Sequence, residues 1–185
     1  MMKRLLLLFF ALCLLTPVLR AQSLGNVPYG ARIFSTGLPS FAGKMDRPDD
    51  LPMMSKERRE TALECIEWTF GKVKEYKEAY GECCAMHHLN VVLENGDELD
   101  FEEGRLVGYT LITPKFLVGK ECMKGGLRVG RKPGTPLRKT VHNEPRKHDP
   151  STFGFEDEAY GDVIAVYEVD SEGIIVRITV GPNEC

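Results

Sequence analysis

Apolar side chains return at helical intervals between Ser55 and Gly81: Leu63, Ile66, Phe70, Val73 and Tyr80 stand three, four, three and seven residues apart. That spacing lines one face of an α-helix, and Lys72, Lys74, Glu75 and Glu78 fall mostly off it. Ser55 is placed to cap the first turn and Glu57 to complement its positive end. Gly81 is the residue type that most easily takes the left-handed conformation ending a helix. The pattern predicts one long helix between these limits.

Beyond it the period changes from helical to alternating. Leu89, Val91 and Leu93 share one face of a run over 88–94, and Leu99 and Phe101 continue the alternation over 98–103. Between them stands Asn95-Gly96-Asp97, where Asn-Gly is the strongest short hairpin signal because both residues tolerate positive φ. A third run over 106–113 extends the meander up to Pro114. Runs over 162–170 and 174–180, rich in Val and Ile, flank Ser171-Glu172-Gly173 and predict a second hairpin. Residues 22–54 hold Pro28, Pro39, Pro48 and Pro52 among several glycines, which prevents a long helix or a central strand. Tyr29, Ile33, Phe34, Leu38 and Phe41 punctuate this irregular arm and suit it to lie across the domain. The fold class expected is therefore α+β: one long N-terminal helix on a curved antiparallel sheet of about five strands, forming a single domain over 55–185.

The first 21 residues add a compartment. Lys3 and Arg4 precede an unbroken apolar run from Leu5 to Leu15, followed by Pro17 and Ala21, the arrangement of a secretory signal peptide. The run is shorter than the roughly 20 residues that span a bilayer, and no second one follows. The expectation is an exported chain, periplasmic, surface-associated or secreted, with no transmembrane helix in its mature part. Export permits disulfides, and five cysteines remain: Cys65, Cys83, Cys84, Cys122 and Cys185. One arrangement links Cys65 to the segment after the helix and Cys122 to Cys185, leaving one thiol over. The alternative keeps all five reduced.

Charge changes the picture most. The whole chain carries a formal −3, and residues 1–21 hold three cations and no acid, so the remainder carries −6. Within 128–147, Arg128, Arg131, Lys132, Arg138, Lys139, Arg146 and Lys147 face the single acid Glu144. This segregation makes a basic loop on an acidic body, a surface for an anionic glycan, a lipid headgroup or an acidic protein patch. Nucleic acid is not expected, since no aromatic is interleaved and the chain is acidic overall. The bland reading is a solvated loop that pairs with Glu156, Asp157 and Glu158.

Other candidates carry less chemistry. Cys83, Cys84, His87 and His88 place two sulfurs and two imidazoles within six residues, a ligand set suited to zinc or copper. Their spacing is not that of a zinc knuckle, and adjacent histidines on a strand point to opposite faces. A thiol at Cys83 or Cys84 beside His87 is the one local arrangement suggestive of a nucleophile. Residues 125–130, Gly-Gly-Leu-Arg-Val-Gly, lack the Lys-Ser/Thr end of a phosphate-binding loop and the helix a dinucleotide fingerprint opens, and read as a short strand bounded by turns. No cofactor is implied.

With Gly126 to Gly130 and the Val169 to Ile175 turn in view, residues 90–182 resemble small bacterial exported α+β domains, in which a glycine-flanked apolar strand and a late Val-Asp-x-x-Gly-x-Ile hairpin recur around a helix. Many of those are uncharacterised; others bind proteins or assist envelope assembly. The resemblance carries over no functional residue. The sequence thus favours a binding domain that recognises its partner through the basic loop, with Phe153 and Phe155 beside it. The runner-up is a small thiol- or metal-dependent envelope enzyme around Cys83, Cys84 and His87, and a purely structural subunit stands third.

Overall fold

The computed structural model describes residues 29–37, 53–80, 86–119, 123–136, 145–146, 149–157 and 161–182. Among the described residues one helix, α1 (Lys56–Phe70), precedes ten strands: β1 (Val73–Tyr80), β2 (His87–Leu93), β3 (Glu98–Glu102), β4 (Arg105–Leu111), β5 (Met123–Lys124), β6 (Thr135–Pro136), β7 (Pro145–Arg146), β8 (Asp149–Asp157), β9 (Gly161–Val169) and β10 (Ile175–Pro182). Eight of them form one antiparallel sheet in the order β1-β2-β3-β4-β10-β9-β8-β7, and β5 pairs with β6 apart from it. The α+β class holds, but the sheet is larger and the helix shorter than the sequence pattern predicts.

The helix starts as expected and stops early. Ser55 Oγ accepts a hydrogen bond from the Arg58 amide at 3.3 Å. Ala62, Ile66 and Phe70, four residues apart, turn inward. Gly71 then takes φ +115°, and its amide donates to the Glu67 carbonyl at 3.0 Å. The Lys115 ammonium donates to the Phe70 carbonyl, covering another of the acceptors a helix end leaves open. Val73 and Tyr80, which continue the helical spacing, belong instead to β1, an edge strand whose middle is exposed. An edge strand with one thin apolar face reads as lysines and glutamates, good helix formers, so its sequence mimics the helix before it.

Both predicted hairpins form. At Asn95-Gly96 only Gly96 has positive φ, +86°, so the turn is not the expected mirror-image type but one with a single left-handed glycine. The Leu93 amide donates to the Asp97 carbonyl at 2.9 Å and closes the loop. The second turn repeats the arrangement: Gly173 takes φ +75°, and the Asp170 amide donates to the Ile174 carbonyl at 2.9 Å. Strand β10 lies between β4 and β9, so the last strand in sequence joins the two halves of the sheet.

One apolar cluster unites these elements. Leu89, Val91 and Leu93 of β2, Leu99 and Phe101 of β3, and Leu106 and Leu111 of β4 meet Ile66 and Phe70 of α1. Phe70 packs edge-on against Phe101 and Phe116, with ring centroids 6.2 and 5.9 Å apart. Register shifts in β4 and in β10 insert an extra residue, so that Leu106 with Tyr109, and Ile175 with Ile178, face inward three residues apart. The arm segment 29–37 runs along β4. Its Gly30 and Ile33 amides donate to the Leu106 and Gly104 carbonyls at 2.7 and 2.8 Å, and Phe34 is buried against Phe101.

Candidate functional site

The chain from Lys115 to Gly134 leaves the sheet, folds on itself and returns to it. Phe116, Val118, Met123, Leu127 and Val129 are buried and anchor the excursion in the core. Val118 and Leu127 exchange backbone hydrogen bonds at 2.9 and 2.7 Å. The far end is tied to the sheet at the start of β10: the Gly130 amide donates to the Ile175 carbonyl at 2.8 Å, and the Ile175 amide donates to the Arg131 carbonyl at 2.9 Å.

Two glycines permit the close crossings. A Cβ at Gly126 would lie 2.8 Å from the Val118 carbonyl oxygen, and one at Gly134 only 2.3 Å from that of Lys124. No real side chain fits there.

These segments enclose a cleft of about 270 Å³. Leu117 and glycines 125, 126 and 134 form its walls, and among the described residues Lys124, Arg128, Arg131 and Lys132 supply the charged groups that line it. Among the described residues no carboxylate lines it, and none of these four cations is in an ion pair. Arg128 is half-buried, and its Nε is shielded from solvent without a hydrogen-bond partner. Buried donors are rarely left so, and an unmade bond there costs about 1–3 kcal/mol. The cleft can accept oxyanions, with two guanidinium forks and two ammonium groups as donors.

Of the basic residues singled out in the sequence, the structure brings Arg128, Arg131 and Lys132 to this cleft. Arg146 contributes backbone to β7, and Arg138, Lys139 and Lys147 lie outside the described residues. Phe153 and Phe155 stand on β8, a strand that sequence reading left unassigned. Lys124 is a lining residue the sequence reading missed. The signal available was its position directly before Gly125-Gly126, where a turn brings it beside Arg128.

His87 and His88 do face opposite sides of β2, the first fully buried and the second half-buried. His88 Nδ1 lies 3.6 Å from Glu102 Oε1. His87 Nε2 donates to Glu78 Oε1 at 2.8 Å, and Glu78 also accepts from the Met54 amide at 2.8 Å and from Arg59 at 3.0 Å. Burial alone would raise the Glu78 carboxyl, but these donors outweigh it and hold it below the usual carboxylate range. Burial, with the charges of Glu103 and Glu78, pushes the Tyr80 phenol up.

Glu103 completes the cluster, accepting from the His87 amide at 2.9 Å and the Thr36 hydroxyl at 3.2 Å. Glu78, placed by the helical reading among outward-facing positions, in fact points inward from β1. The cluster ties α1, β1, β2 and the arm together.

Among the described residues no three His, Cys, Asp or Glu side chains are grouped to hold a metal ion. Cys65 is a free thiol, so the bridge expected from it is not formed; Cys83, Cys84, Cys122 and Cys185 lie outside the described residues. No described helix is long and apolar enough to cross a membrane. Compared with family models, curated proteins and solved structures, the chain matches none.

Proposed function

We propose that this chain is an exported, non-enzymatic binding domain that takes an anionic group of its partner into the cleft beneath residues 124–134. The observation that carries the reading is a concave site that, among the described residues, is lined by four cations and no acid, on a chain whose overall charge is negative. Fields focused in such a cleft attract an anion that the body as a whole repels. Export rests on the first 21 residues, and the resemblance to exported domains that bind proteins or assist envelope assembly agrees with it. An anionic glycan, a lipid headgroup and an acidic protein patch all present the required charge.

An acidic protein should flow through an anionic matrix near pH 7, and retention at low salt requires a local basic site. The native chain is expected to be retained and a Lys124→Ser, Arg131→Ser, Lys132→Ser variant to pass through, with unchanged circular dichroism for both. Equal retention of the two chains overturns the reading. The thiol- or metal-dependent alternative at Cys83, Cys84 and His87 rests on sequence spacing, and the described contacts of His87 serve to seat the arm.

A further inference from the structure

We propose that the cleft is a phosphoryl-group site, which receives a phosphomonoester borne on a small, sugar-sized polar carrier. This rests on the anion-binding reading and narrows it. The first argument is charge. Lys124, Arg128, Arg131 and Lys132 all line one space of about 270 Å³. A carboxylate or sulfate ester brings one negative charge to such a cluster. A phosphomonoester brings about −1.5 to −2 and three strong acceptor oxygens.

The second argument is donor geometry. Arg128 and Arg131 both line the cleft, and Arg128 Nε has no hydrogen-bond partner within the protein. Guanidinium forks match the paired oxygens of a tetrahedral phosphoryl group, whereas lysines act as point charges. Gly125 takes φ +90°, and a Cβ built on it meets nothing within 4 Å, so bare backbone borders the open space.

The third argument is size. A volume of about 270 Å³ lies just below the roughly 300–1,000 Å³ of sites for drug-sized ligands, room for a phosphoryl group on a small carrier. Leu117 offers the carrier one apolar contact. Among the described residues no carboxylate, imidazole, hydroxyl or thiol side chain lines the cleft to attack or protonate the ester, so the proposed role is to recognise the group rather than to cleave it.

Calorimetric titration of the purified protein with glucose 6-phosphate, glucose 6-sulfate and glucuronate tests the proposal, beside sedimentation with phosphatidylcholine vesicles made with and without phosphatidic acid. The expected result is a preference of about tenfold or more for the phosphate over the other two soluble anions. It falls by about tenfold in Arg128→Lys, which keeps the charge and loses the fork, and in Lys124→Ser/Lys132→Ser, whose exposed positions leave the fold untouched. Binding to phosphatidic acid vesicles without the soluble phosphate assigns the same chemistry to a lipid source. Equal affinity for all three sugars, with vesicle binding explained by charge alone, overturns the phosphoryl site and leaves the anion-binding reading standing. No binding to any anion, with matrix retention that ignores the cleft substitutions, overturns both.

Discussion

Three donors converge on the Glu78 carboxylate, and the ordinary chemistry of a carboxylic acid makes their loss measurable. Folding favours its ionised form, so its contribution is complete above the usual value of 4.5 and is lost as pH falls through the lower, folded value. The native chain should lose stability from about pH 5 downward, and Glu78→Gln should flatten that part of a urea-unfolding profile against pH. An unchanged acid limb in the variant would assign the loss to other carboxylates. At pH 7, Glu78→Ala should cost about 2–4 kcal/mol, because it strands the Met54 amide, the His87 ring and Arg59 together. Asp97 is a parallel case at the tip of the first hairpin. It is fully buried, and its carboxylate accepts from the Ile112 and Thr113 amides at 2.8 and 3.1 Å and from the Thr113 hydroxyl at 2.7 Å. Asp97→Ala should cost about 2–4 kcal/mol in the same assay, since three donors that pin the turn to the end of β4 lose their acceptor. Trp68, by contrast, is 93% exposed on α1, so Trp68→Ser should move stability by less than about 0.5 kcal/mol.

Elements were legible where turn chemistry and alternation agreed. Asn95-Gly96-Asp97 and Ser171-Glu172-Gly173 marked both hairpins, because a glycine at positive φ and an Asn95 or Asp170 side chain accepting from its own backbone leave a local trace. The segment 71–80 was misread because its few apolar residues continue the helical spacing, while the decisive residue, Gly71, stands alone. Strand β8 left no trace of this kind. Pro150 and Gly154 weaken its local preference, and pairing with β9 supplies what the segment lacks. Of the candidate cleft, the excess of cations was legible, whereas their convergence depends on close crossings at Gly126 and Gly134 that no local pattern records. Gly71→Ala tests the helix stop: an alanine at φ +115° should cost about 1–3 kcal/mol. The helical signal in circular dichroism should stay constant, since β1 is held by its ladder to β2. A rise in helicity with no loss of stability would mean that the segment converts readily to helix.

At the scale of the whole molecule, the cleft is hydrogen-bonded to a strand of the sheet. Strand β10 pairs with both β4 and β9, so within the sheet it joins the β2–β4 meander to β9 and β8. Such non-local pairing implies slow folding and makes β10 part of the last structure to be lost. Gly130 and Arg131 are bonded to the backbone of Ile175, the first residue of that strand. An anion that draws Arg128, Arg131 and Lys132 together therefore holds the excursion against β10, and its binding energy appears in global unfolding rather than in the local order of a loop. Mass action sets the size: at a ligand concentration one hundred times the dissociation constant the folded state gains about 2.7 kcal/mol. Phosphate should then raise the melting temperature above that in chloride at the same ionic strength. It should also slow amide exchange in β10 as well as around the cleft. The Lys124→Ser, Arg131→Ser, Lys132→Ser variant should show neither effect, because general screening acts on both chains alike and only an occupied site separates them. Protection confined to residues 124–134 would mean that the cleft binds its anion without coupling to the sheet.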